Sequence, residues 1–167
     1  AQELLRSDWG VVADVFSVTS WNELRRDGLR CDEAAFLNPD AEAPVPWVTQ
    51  QLSGRPGPVV AVSDYMRAVQ DQIAQWVPGD FSSLGADGFG FSDTRPAARR
   101  FFHIDAQSVV VQTLQALADA GEIDRPQVEK AFAQYRIDDP TAGEIDLYGR
   151  VGSLLEDVSR RYGRGSI

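Results

Sequence analysis

The sequence predicts an α/β domain: three layers, doubly wound around a mostly parallel sheet. Two observations carry this. Short runs of β-branched and apolar residues lack the polar alternation of a half-solvated strand, as in sheets buried on both faces. Each run is followed within a few residues by a helix start, and strand–helix–strand order with short connections implies right-handed crossovers over a parallel sheet.

The first run is Val12 to Thr19, VADVFSVT, read as a buried strand. Ser20 and Glu23 form a capping box for a helix from Trp21 to Asp27, with Gly28 supplying its left-handed stop. From Cys31 to Pro58 five prolines (Pro39, Pro44, Pro46, Pro56 and Pro58) predict an irregular connection, with one or two helical turns within Val45 to Leu52. Pro58 to Val62 is the second strand. Ser63 or Asp64 then caps a helix whose Met66, Val69, Ile73, Trp76 and Val77 fall at helical spacing, ended by Pro78-Gly79.

Phe81 to Ala86 reads as a weaker third strand. It leads into Asp87-Gly88-Phe89-Gly90-Phe91-Ser92-Asp93, where two glycines permit positive φ or close backbone approach. Thr94 to Phe102 forms a helix with Pro96 in its first turn. Asp105 caps the next, with Val110, Leu114 and Leu117 inward and Gly121 as its stop. Asp124 starts another, with Gln127 at the capping-box position and Val128, Ala131, Phe132 and Tyr135 on one face. Three strands are few for such a sheet, and the opening AQELLR reads as the end of a helix. The expectation is therefore a domain that lacks its first strand and helix, spanning residues 1–138, with 139–167 as a tail of unknown role.

Composition excludes several classes. With 16 Lys+Arg against 25 Asp+Glu the net charge is −9, which argues against nucleic acid and against an anionic membrane surface. No stretch approaches the roughly 20 apolar residues of a membrane span, and the first ten residues lack the build of a secretory signal, so a cytoplasmic location is expected. The single cysteine, Cys31, and single histidine, His103, cannot make a structural zinc site.

Each remaining candidate has a bland reading that outweighs the chemical one. His103, in the apolar setting FFHI, reads as a packing or capping residue near a helix end. The acidic pairs Asp32-Glu33 and Asp138-Asp139 read as solvated surface. Arg95, Arg99 and Arg100 could grip a carboxylate, but an arginine-bearing helix face is usually solvated. The glycine loop matches neither phosphate-binding glycine pattern, and its aromatics read first as an interface plug.

Against this background DVFSVTSWNELRRDG, VAVSDYMRAVQDQIAQWVP and SLGADGFGFSDTRPAARRFFHIDAQSVVVQTLQALADAGEI resemble the C-terminal domain of the homodimeric pyruvate dehydrogenases of the transketolase superfamily. The likeness is co-linear from about Trp9 to Asp138. Its most specific segments are Ser63 to Met66 and Asp87 to Asp93.

The resemblance implies an enzyme that decarboxylates pyruvate with thiamine diphosphate and magnesium, then reductively acetylates the lipoyl arm of a dihydrolipoyl acyltransferase. It also implies that the cofactor is held by other domains of the homodimer. No catalytic, cofactor-binding or metal-binding residue carries over to this chain, which is expected to be inactive alone. Only Asp87, Gly88, Phe89, Gly90, Ser92 and Asp93 correspond to a segment placed at domain packing or at the channel mouth. The rivals are a stand-alone α/β interaction module and a small phosphate-binding domain that uses the glycine loop.

Overall fold

The computed structural model describes residues 1–90 and 92–139. Phe91 and the expected tail from residue 140 lie outside them.

The helices are α1 (Gln2–Trp9), α2 (Trp21–Leu37), α3 (Trp47–Leu52), α4 (Arg67–Asp71), α5 (Arg95–Phe101), α6 (Ala106–Asp119) and α7 (Arg125–Gln134). The strands are β1 (Val59–Val62) and β2 (Phe81–Leu84). They pair in parallel with Val59 opposite Phe81 and Val62 opposite Leu84, which requires the crossover that α4 and a 3-10 turn at Ala74–Trp76 provide. The fold is α/β, with a two-stranded parallel sheet among the described residues.

Two apolar cores hold it. Leu5, Val110, Leu114 and Ala131 knit α1, α6 and α7 together, with Trp9 and Tyr135 packed at their margin. Val48, Ile73, Trp76 and Val77 form the second, onto which Trp21, Leu24, Leu52, Val59 and Phe81 pack. The inward stripe expected on α6 is present, since Val110, Leu114 and Leu117 are buried. Thr94 and Asp105 cap α5 and α6 through Ala97 N–H and Ser108 N–H.

The sequence and the structure part at several elements. Val12 to Thr19 joins no ladder, and Val12 is 85% exposed. A strand needs neighbouring backbone, and β1 and β2 pair only with each other. The segment is held instead by Gln2 Nε2 donating to Ala13 O (2.7 Å), by the Arg55–Asp14 ion pair and by Arg55 over the Phe16 ring.

The helix at Trp21 does not stop at Gly28. It runs on to Leu37, so the irregular connection starts only at Asn38, whose side chain donates to Ala34 O. Gly28 is there for space, because a Cβ on it would lie 2.4 Å from the Trp76 indole. Half of the capping box forms: Ser20 Oγ accepts Glu23 N–H, but the Glu23 carboxylate pairs with Arg26.

Neither Ser63 nor Asp64 caps α4, which begins at Arg67 with Met66 exposed at its N-cap. The Ser63 hydroxyl is occupied by Tyr65 N–H and the Gln70 amide. At α7 the Asp124 side chain makes no cap bond, and Phe132 is exposed although Ala131 is fully buried.

Candidate functional site

The loops that leave β1 and β2 meet at the carboxyl end of the sheet, where open α/β sheets present their functional residues. Ser63 N–H donates to Leu84 O (3.2 Å) and Ala86 N–H to Tyr65 O (2.9 Å), so the backbones stay in register past the strands. Between them sits Gly85. A Cβ there would lie 2.5 Å from Tyr65 O and 2.6 Å from Arg67 N, which no side chain tolerates.

Asp87 locks this junction. Its Oδ1 accepts Arg67 N–H (2.9 Å) and its Oδ2 accepts Arg67 Nε–H (2.6 Å). The Arg67 side-chain bond, then its backbone bond, hold the Asp87 carboxyl below the ordinary aspartate value of 3.8. From beneath, the fully buried Gln70 amide donates to Ser63 Oγ (2.8 Å) and Leu84 O (3.0 Å), bridging both strand ends.

Beyond Asp87 the chain turns outward. Gly88 adopts φ +119°, a conformation that L side chains rarely reach, and Phe89 is 98% exposed. Gly90 faces open space and Ser92 is exposed. Asp93 Oδ1 accepts the N–H of its neighbour Thr94 (2.6 Å), just before α5. Of the six candidate residues, Asp87 thus pins the loop to α4, while Gly88, Phe89, Gly90, Ser92 and Asp93 are exposed beyond it. Depressions of about 630 and 300 Å³ lie elsewhere, and neither is lined by a residue of these two loops.

The three arginines of α5 do not act together. Arg99 pairs with Asp64 at 3.7 Å, Arg95 is exposed, and Arg100 turns inward to a 2.9 Å ion pair with Asp105. His103 ends α5 at φ +54°. Asp32 accepts the Trp76 indole N–H, and Asp139 pairs with Arg136. Burial pushes the Cys31 thiol up, with Asp27 adding to it. Among the described residues no group of three or more His, Cys, Asp or Glu is placed to hold a metal ion, and no helix is long and apolar enough to cross a membrane.

Sequence reasoning singled out Ser63 to Met66 and Asp87 to Asp93, and the structure brings their near ends together, through Ala86 N–H on Tyr65 O and Asp87 on Arg67, with Phe91 outside the described residues. It missed Arg67, Gln70 and Gly85. Gly85 alone left a trace, as a glycine inside the expected strand Phe81 to Ala86, which the structure ends at Leu84.

The family model of the transketolase-like C-terminal domain matches residues 1–105. The chain is 56% identical over 153 residues to the pyruvate dehydrogenase E1 component of Mycolicibacterium smegmatis, covering 92% of this chain and 16% of that protein. It is 56% identical over 142 residues to the Mycobacterium tuberculosis protein of the same name, covering 85% and 15%. Against the Escherichia coli K12 protein of that name it is 44% identical over 139 residues, covering 83% and 15%. The first of these matches is long enough to reach past residue 139, into the segment set apart as a tail. The chain spans about a sixth of the length of these relatives. The family model covers more than half of the chain, and the chain belongs to the transketolase-like C-terminal domain family.

Proposed function

We propose that this chain is the C-terminal domain of a pyruvate dehydrogenase E1 component that decarboxylates pyruvate and reductively acetylates the lipoyl group of a dihydrolipoyl acyltransferase. The observation that carries the reading is identity of 44–56% over 83–92% of the chain to relatives bearing that name. The enzyme works as a cytoplasmic homodimer with thiamine diphosphate and magnesium. In this reading both cofactors belong to other domains of the enzyme, and no catalytic step is assigned to this one.

Residues 1–138 form the packing unit in this reading, and 139–167 its tail. Asp87, Gly88, Phe89, Gly90, Ser92 and Asp93 serve domain packing or the channel mouth. Replacing the matched segment of the Mycolicibacterium smegmatis relative by this chain tests the assignment. A chimera that retains pyruvate-dependent reduction of a lipoyl acceptor supports it. A well-folded chimera without that activity, together with a native polypeptide no heavier than 18.4 kDa, overturns it in favour of a stand-alone interaction module.

A further inference from the structure

We infer that Phe89, with Tyr65 and Met66, is the anchor of a docking surface against which another domain of the same polypeptide packs. The inference rests on the reading above and selects domain packing over channel mouth. It adds residues that the sequence did not mark as contacts.

Three large side chains stand in solvent on two adjoining loops: Phe89 at 98%, Tyr65 at 68% and Met66 at 55% exposure. A lone exposed apolar residue needs no explanation, but a group of them on one surface marks an interaction site. The backbone beside Tyr65 and Met66 is fixed, and Phe89 stands two residues beyond the Asp87 clasp. Gly85 is wedged against Tyr65 O, Ala86 N–H bonds Tyr65 O, and the Asp87 carboxylate holds Arg67 from two sides. At the far end Asp93 accepts Thr94 N–H. Aromatic anchors on a pre-ordered base lose little conformational freedom on contact, which is how a few residues come to dominate an interface.

The surroundings identify the occupant. Of the charges on these loops, Arg67 is answered by Asp87 at 2.6 Å and Asp64 by Arg99 at 3.7 Å, while Asp93 takes the Thr94 N–H. The cation at this junction is thus already matched, which disfavours a polyanion, whereas an apolar surface meets three exposed apolar side chains. The depressions of about 630 and 300 Å³ are lined by other residues, and the exposed Phe89 gives these loops a projection suited to entering another surface. The relatives are about six times longer than this chain. In a polypeptide of that build, other domains stand at high effective concentration beside the projection. Asp87 is then a positioning residue that acts on the anchor through Arg67.

The test is thiol labelling of Phe89→Cys in a Cys31→Ser background, read peptide by peptide by mass spectrometry. It is run in this chain alone and in the chimera, with Tyr65→Cys as an independent second probe and circular dichroism as the folding check. The expected result is labelling at least tenfold slower in the chimera, independent of protein concentration and of added pyruvate. Equal rates in the two settings overturn the proposal. So does protection that appears only on raising the concentration, which assigns the surface to a second copy, or only on adding pyruvate, which assigns it to the channel mouth. Activity of the chimera is scored separately. Protection in an inactive chimera upholds the docking surface and leaves the enzymatic reading to be decided by the mass of the native polypeptide; free labelling in an active chimera upholds the enzymatic reading and overturns the docking surface.

Discussion

Gly28 lies against the indole of Trp76 so closely that a Cβ would sit 2.4 Å from the ring, in the middle of a 17-residue helix where glycine is otherwise unfavourable. Two effects of Gly28→Ala oppose each other. Helix propensity favours alanine by about 1 kcal/mol, whereas forcing a methyl into a filled core costs about 1–3 kcal/mol. Trp76 is held by its indole N–H on Asp32 and by burial in the second core, so it has little room to retreat. The expected outcome is net destabilisation of about 1 kcal/mol in urea titrations. A more stable variant would show that the ring moves freely.

That contact also shows what a linear reading misses. Gly28 looked like a helix stop because positive φ and tight packing both call for glycine, and only the position of Trp76, 48 residues away in the chain, separates them. Local signals were legible: Thr94, Asp105 and the stripe Val110, Leu114 and Leu117 depend on residues within a few turns. β1 was legible as a short apolar run between turn residues, and β2, with Ser82 and Ser83 at its centre, only as a weaker one. Val12 to Thr19 has strand composition, but a strand exists only with a neighbour, which composition does not contain. At the candidate site Asp87 and Phe89 stood out by their glycines. Arg67 and Gln70 read as ordinary polar helix residues until the fold set them under the loops.

Because Arg67 holds the Asp87 carboxyl below its usual value, the clasp has a defined sign with pH. A depressed carboxyl contributes stability above its unfolded pKa of 3.8 and loses it as pH falls through the lower folded value. The Arg67 amide should thus stay protected from hydrogen exchange at neutral pH and lose protection only below about pH 4. In Asp87→Ala its protection should be absent across the whole range. Unchanged exchange in the variant would show that the clasp does not hold the loops.

Tyr135 joins the first and last described helices. Its O–H donates to Asp8 Oδ2 (2.7 Å) and its oxygen accepts the Trp9 indole N–H (2.9 Å). Tyr135→Phe should cost about 1 kcal/mol, the net worth of a typical bond together with an indole left without its acceptor. Burial first, then the Asp8 bond, raise the Tyr135 pKa above 10.0. A raised value gives stability that is complete below the unfolded pKa and is lost as pH rises through the folded one. Unfolding measured from pH 9 to 11.5 should show wild type falling toward the variant, which itself lacks this slope. Parallel curves would mean that the phenol is not linked to folding.

His103 holds φ +54° after α5, where Ile104 N–H reaches Arg99 O (2.9 Å) and His103 N–H reaches Arg100 O (3.0 Å). This is the helix-ending geometry that glycine favours, and a side chain there strains the backbone by about 1–2 kcal/mol. The greater freedom of glycine in the unfolded chain offsets about 0.4–1 kcal/mol of that gain. His103→Gly should therefore be neutral or stabilising by up to about 1 kcal/mol, raising the melting temperature by a few degrees. Loss of stability would assign the imidazole a packing role that its exposed position does not suggest.

The most damaging single change is expected at Asp105. Its carboxylate takes the Ser108 N–H at the start of α6 (2.9 Å) and faces Arg100 Nε at 2.9 Å, with the Arg100 side chain only 2% exposed. The Arg100 contact is an ion pair rather than an aligned hydrogen bond, and the buried Arg100 Nη1 has no hydrogen-bond partner among the described residues. Asp105→Ala removes the cap, worth about 1 kcal/mol. It also leaves a buried guanidinium without its counter-charge, a loss of about 3–5 kcal/mol. Against the roughly 5–15 kcal/mol that a domain has in total, the variant should unfold at markedly lower urea or fail to fold. Adding Arg100→Met removes the stranded charge, so the double variant should recover most of the loss and retain chiefly the missing cap. A double variant no better than Asp105→Ala would show that the carboxylate matters to α6 alone.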